Sequence, residues 1–145
     1  MSNPLIVENS ITINAPASKV WDALVNPEQT KKYMFGCVTV SDWQVGSPIT
    51  WKGEMNGRPY EDKGEVLEAD EPRRLSVTHY SPLMGQEDRP ENYHTVTYTL
   101  AADGDAGPTT VTLEQDGNTS QEQADQFGQN WQSMLDAFKA TVESA

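Results

Sequence analysis

The sequence predicts an α+β domain: a curved antiparallel sheet of about six to seven strands wrapped around a long C-terminal helix, with two short helices after the first strand. Three observations lead there. From Ser120 to Ala145, apolar residues fall at Ala124, Phe127, Trp131, Met134, Leu135, Phe138 and Val142, steps of three and four that share one helical face. Between Cys37 and Asp116, short alternating stretches are separated by turn signals, the pattern of successive strands. A helix carrying two Phe and one Trp on one stripe needs a concave cover, and the rest of the chain supplies mostly strands.

The elements follow in order. Leu5 to Asn14 alternates, with Leu5, Val7, Ile11 and Ile13 on one side and Asn9 interrupting that apolar face. Pro16 suits the first position of a helix, and Ala17, Val20, Trp21 and Leu24 share its inner side. Asn26-Pro27 ends that helix and starts another, Asn26 capping and Pro27 in the first turn, which runs into Tyr33-Met34-Phe35 before Gly36. Cys37 to Asp42 and Ile49 to Met55 read as strands, the second with Ile49, Trp51, Gly53 and Met55 on one face. Asn56-Gly57 is the preferred pair for a tight hairpin, so Tyr60 to Ala69 folds straight back. Its inner face is ambiguous, because Tyr60, Gly64 and Val66 compete with Leu67.

Asp70-Glu71-Pro72 turns the chain into Arg74 to Tyr80, where Leu75, Val77 and His79 align. Ser81 to Tyr93 has no period and reads as a long loop or an irregular hairpin extension. His94 to Ala102 resumes as strand with Val96, Tyr98 and Leu100 together, Asp103 to Pro108 turns, and Thr109 to Asp116 is the last strand. In the final helix Ser120 and Gln123 form a capping-box pair, and about 24 helical residues span roughly 36 Å. Gly128 inside that helix costs about 1 kcal/mol against alanine, so close approach of a strand, a loop or a ligand is expected there. A sheet curled around a helix leaves a hollow where its curvature exceeds the helix's width, and that hollow is the expected site.

Length and charge narrow the function. A chain of 145 residues is a single-domain length, so one domain spanning residues 1–145 is expected. Twenty-two acidic against 10 basic residues give a net charge of −12, a surface that repels nucleic acid and anionic membranes. Residues 1–10 hold no basic and apolar signal pattern, and no apolar run is long enough to span a bilayer. The single cysteine, Cys37, excludes an internal disulfide, suits a reducing cytoplasmic setting, and reads as a small buried hydrophobe. The chain contains no nucleophile elbow, phosphate loop, dinucleotide fingerprint or Cys/His metal spacing, so no cofactor and no metal are expected.

Four stretches, in this order and spacing, resemble the helix-grip proteins of the START/SRPBCC (Bet v 1-like) superfamily, and within it the C-terminal domain of the heat-shock-protein-90 ATPase activator. They are Ala15 to Leu24 running into Asn26-Pro27; Gly64 to Glu68 followed by Pro72 to Leu75; Val96 to Leu100 with Thr110 to Leu113; and Gly128 to Trp131 continuing to Leu135 and Phe138. Tyr33-Met34-Phe35 stands where that family usually has Trp-Phe. The resemblance covers nearly the whole chain and implies an apolar cavity between sheet and long helix. It does not imply one activity, since members bind lipids and hormones, cyclise polyketides or act as co-chaperones.

The candidate site follows from that hollow. Trp51, Met55, Phe127, Trp131 and Phe138 read as pocket wall or as core, with Tyr98 and Leu135 beside them. Trp131 is the foremost of these, a mid-helix indole on the sheet-facing side. Tyr33, Met34 and Phe35, with the Ser81–Tyr93 segment, read as rim and lid. Of the two histidines, His79 is the better inward candidate by its parity with Leu75 and Val77, a proton donor or a polar anchor. A sequence separation of 15 does not establish that His79 and His94 converge. Glu54, Glu61, Asp62, Glu65 and Glu68 read as a solvated outer face, although one carboxylate inside an oily pocket would act as a base. The expected function is binding of a small hydrophobic or aromatic molecule. A cyclase- or aromatase-like enzyme using His79, and a co-chaperone-like interaction module, are the alternatives.

Overall fold

The computed structural model describes residues 5–34, 36–55, 57–81, 87–102, 107–118 and 120–144. Seven strands form one antiparallel sheet in the order β1-β7-β6-β5-β4-β3-β2. They are β1 (Leu5–Ile13), β2 (Val38–Val40), β3 (Pro48–Met55), β4 (Arg58–Asp70), β5 (Arg74–His79), β6 (His94–Ala102) and β7 (Thr109–Asn118). Helices α1 (Ala17–Val25) and α2 (Pro27–Tyr33) connect β1 to β2, and α3 (Gln121–Ser144) closes the chain. No helix among the described residues is long and apolar enough to cross a membrane.

The local signals act as their chemistry requires, with small boundary shifts. Pro16 is the cap of α1 rather than its first residue. The Asn26 side chain accepts from the Glu28 amide at 3.0 Å, capping α2. The Ser120 hydroxyl accepts from the Gln123 amide at 3.1 Å at the start of α3. The strand expected over Cys37–Asp42 shrinks to three residues, because Ser41 and Asp42 turn their side-chain oxygens onto the amides of Trp43 and Gln44. Asn56 and residues 103–106 lie outside the described residues, so the hairpin pair and the second turn are seen only through the strands they join.

Two glycines show how the sheet and helix come together. In β4, a Cβ on Gly64 would lie 1.7 Å from the Thr78 carbonyl oxygen, so β4 and β5 approach there as no other residue allows. Just beyond, the register shifts between Val66 and Glu68. That irregularity settles the inner face of β4: Tyr60, Asp62, Gly64 and Val66 point inward, and Leu67 is left 41% exposed. On α3, Gly128 faces β1, where the Asn9 amide donates to its carbonyl at 3.1 Å. A strand is therefore the neighbour at Gly128 but, against expectation, it does not come close enough to require glycine. A Cβ there would meet Val7 at 3.6 Å, ordinary contact.

The C-terminal half of α3 sits in dense core. Leu135, Phe138 and Val142 are buried, and Phe138 packs edge-on against Tyr33 with ring centroids 4.8 Å apart. Lys139 donates to the Thr12 carbonyl at 2.6 Å and Glu143 accepts from the Asn14 amide at 2.8 Å, pinning the helix to the end of β1. Substitution at the two glycines should therefore give opposite results. Gly64→Ala is expected to cost about 3 kcal/mol, since backbone must shift, and Gly128→Ala to gain about 1 kcal/mol, since a Cβ fits. Urea denaturation of both variants measures the difference, and a neutral Gly64→Ala would refute the close approach.

Candidate functional site

Along the N-terminal half of α3 the sheet and helix stand apart, leaving a cavity of about 280 Å³. The helix contributes Phe127, Trp131 and Met134 to its wall; the sheet contributes Trp51, Val77, Val96 and Tyr98; Tyr33 and Met34 come from the end of α2. Trp43 closes one side with a backbone φ of 59°, a left-handed conformation that costs a bulky residue about 1 kcal/mol or more. In that conformation the indole lies against the cavity.

The polar groups gather at one end. His79 and His94 are direct register partners on β5 and β6, and both line the cavity. Asp62 also faces it, with its side chain only 14% exposed and Oδ2 2.9 Å from His79 Nε2. A carboxylate only accepts, so His79 donates through Nε2–H. His79 also meets Trp51 edge-on, with ring centroids 5.0 Å apart.

His94 is held the other way round. Its Nδ1 lies 2.9 Å from the Asp116 carbonyl oxygen and 3.1 Å from Gln115 Nε2. With the two Gln115 hydrogens placed on the Asp116 carbonyl and Asn118 Oδ1, Nδ1 carries the proton and gives it to the carbonyl. Its Nε2 is then a bare lone pair, buried and without a partner. Gly117 makes this geometry possible, since a Cβ there would sit 2.8 Å from His94 Nδ1. Beside it, Trp131 Nε1 donates to Gln115 Oε1 at 2.6 Å, tying helix to sheet at the cavity wall. Gln115 Nε2 in turn donates to the Asp116 carbonyl at 3.1 Å and to Asn118 Oδ1 at 3.2 Å.

Burial decides the state of the phenols and the thiol. Tyr33, whose hydroxyl donates to the Ala23 carbonyl at 2.7 Å, and Tyr98 are both pushed by burial well above the ordinary phenol range. Tyr60 is pushed up to about 12, by burial first and then by its neighbour Cys37. Burial also raises the Cys37 thiol, so it stays protonated, as its reading as a buried hydrophobe requires.

The structure brings together Tyr33, Trp51, His79, Tyr98, Phe127 and Trp131 among the residues singled out from sequence. Leu135 and Phe138 do not belong with them: both are buried core beyond Trp131, where sheet and helix are already in contact. Phe35 and the Met55 side chain lie outside the described residues, and no described residue of the 87–93 segment lines the cavity. Asp62 overturns its assignment to the solvated face, whereas Glu54, Glu61 and Glu65 are exposed as expected. Parity with Tyr60 and Val66 was the available signal for it, hidden by the unresolved phase of that strand. His94 shares parity with Val96 and Tyr98, a signal the preference for His79 passed over. Trp43 carried no sequence signal, since its place depends on an irregular loop, whereas Gln115 shares parity with Val111 and Leu113 on the last strand. Among the described residues no cluster of His, Cys, Asp and Glu could hold a metal ion.

A curved antiparallel sheet gripping a C-terminal helix over an internal cavity defines a helix-grip protein of the START/SRPBCC superfamily. Within that class, residues 14–143 match the model of the family described as Activator of Hsp90 ATPase homolog 1-like protein, and the chain belongs to that family. It is similar to the solution structure of ChR145 from Cytophaga hutchinsonii, at 47% identity and TM-score 0.85, over 99% of this chain and 97% of that one. It shares its fold with CalU16 from Micromonospora echinospora, at 20% identity and TM-score 0.68, over 97% of this chain and 85% of that one. The same holds for the Aha1 dimer from Colwellia psychrerythraea, at 20% identity and TM-score 0.71, over 96% of each chain. No curated protein sequence matches it significantly.

The two fully buried phenols set an alkaline limit on stability. Their raised folded-state values mean that stabilisation is fully present below the ordinary tyrosine pKa of about 10 and is lost as pH rises beyond it. The unfolding free energy should fall by about 1.4 kcal/mol per pH unit for each of Tyr33 and Tyr98. Urea titrations between pH 9 and 11.5 measure the slope, and Tyr98→Phe should reduce it by one proton's worth.

Proposed function

We propose that this protein binds a small, largely apolar aromatic molecule in the cavity between the sheet and α3. The observation that carries the proposal is the space itself: about 280 Å³ walled by aromatic and aliphatic side chains, nearly twice the ~150 Å³ cavity that admits benzene. That is room for roughly two fused rings. Trp43, Trp51, Phe127 and Trp131 supply flat faces for offset or edge-on stacking. A reducing cytoplasmic setting suits the free Cys37 thiol. The surface charge of −12 directs the function away from nucleic acid and membrane insertion.

Titration with naphthalene, followed by tryptophan fluorescence, tests this. Saturable binding is expected, and Trp131→Ala should weaken it at least about tenfold by removing a wall. Because that variant also leaves Gln115 Oε1 without its donor, Trp51→Ala serves as the second wall deletion. A wild-type protein that does not bind naphthalene or any larger aromatic sinks the proposal.

A second reading, an acid–base enzyme of the cyclase kind, is favoured by the Asp62–His79 pair at 2.9 Å. Asp62 holds the ring with Nδ1 as the basic nitrogen, the arrangement a general base requires. A bound ketone such as 2-tetralone would then exchange its α-protons with solvent deuterium, His79 taking the proton and returning a deuteron. Proton NMR should show exchange accelerated by the wild type and lost in His79→Gln with binding unchanged. Equal exchange in both would remove the enzyme reading. A co-chaperone role draws on the family's name, and a pull-down against Hsp90 is its test.

A further inference from the structure

We infer that the cavity selects a neutral ring bearing a hydrogen-bond donor, a phenol-like hydroxyl, over the same ring bearing a carboxylate. The inference rests on the ligand-binding reading above and concerns which chemistry the polar end recognises. Its basis is an imbalance among the polar groups at that end. The donors nearest the two histidines have partners: Trp131 Nε1 on Gln115 Oε1, Gln115 Nε2 on Asp116 and Asn118, and His79 Nε2 on Asp62. Two acceptors are not. His94 Nε2 and Asp62 Oδ1 are both buried and without a partner, on residues that line the cavity.

A buried acceptor left unmade is costly, and a group that donates to it recovers that loss. His94 is 7% exposed, so water outside the protein does not compensate its nitrogen. Phe127 packs against the imidazole with ring centroids 5.4 Å apart, and its half-buried side chain is shared between the cavity and a shallow neighbouring hollow. An entering molecule meets Nε2 only by displacing that ring. The Tyr60 and Tyr98 hydroxyls can give or take a hydrogen bond and do not bias the choice.

The same wall penalises anions. No lysine or arginine is among the cavity-lining residues, and the Asp62 carboxylate faces the space. A ligand carboxylate would be desolvated there beside a like charge, with two lone pairs opposite its own. A hydroxyl on the same ring meets acceptors instead.

Three ligands of one shape separate the outcomes: naphthalene, 2-naphthol and 2-naphthoate, titrated at pH 8 against the wild type. The expected order is 2-naphthol about tenfold or more tighter than naphthalene, with 2-naphthoate about tenfold or more weaker. In His94→Phe the advantage of 2-naphthol should fall to within about twofold while naphthalene binding persists. If that variant does not fold, Asp62→Asn decides, since 2-naphthoate should then gain at least about tenfold relative to naphthalene. Binding of naphthalene with 2-naphthoate equal to or tighter than 2-naphthol overturns this inference and leaves the ligand-binding reading intact. Failure of all three to bind overturns both.

Discussion

The structure depends on one packing constraint: α3 carries a continuous apolar stripe, and the sheet can cover only part of it at full density. Met134, Leu135, Phe138 and Val142 are buried, and the helix end is pinned to β1 through Lys139 and Glu143. One to two turns earlier, Phe127 and Trp131 are only half-buried and line the cavity, α3 packing chiefly on β1. On the far side of the cavity, Gly64 lets β4 meet the Thr78 backbone, and the register shifts between Val66 and Glu68. A close-packed interior tolerates few voids larger than a water molecule, so a persistent cavity of about 280 Å³ reflects an architecture that holds its walls apart.

Those walls are braced by polar contacts rather than by packing alone. Trp131 could collapse inward if nothing held it, but its indole N–H is fixed on Gln115, which is itself held by Asp116 and Asn118. The same Asp116 carbonyl orients His94, and Gly117 leaves the imidazole room. Opposite, Asp62 orients His79, which leans on Trp51. The cavity therefore combines apolar surface with two histidines whose rings are oriented by their partners. This is the arrangement expected of a recognition site, where a few oriented polar groups set specificity within an apolar volume.

Much of the candidate site was readable residue by residue wherever periodicity was clean. Trp131 and Phe127 follow from the stripe of α3, Trp51 from its alternation with Ile49, and His79 from its alignment with Leu75 and Val77. Leu135 belongs to the same helical stripe as Trp131 but falls on the packed side of the boundary where cavity becomes core. Helical period gives the face that is covered and says nothing about how tightly. Asp62 was missed for a related reason: in a strand with two competing phases, only the neighbouring strand fixes which residues point inward.

By itself, then, the amino-acid sequence determined the elements, their order and the fold they make, because capping, turn chemistry and hydrophobic period are local and act on neighbouring residues. It also determined an acidic surface and a single free thiol. Only the tertiary structure decided that His79 and His94 stand side by side, that a carboxylate enters the apolar space, and that two acceptors there are left without donors. Each of these depends on strand register and on the distance at which a bent sheet stops short of its helix, quantities set by long-range packing.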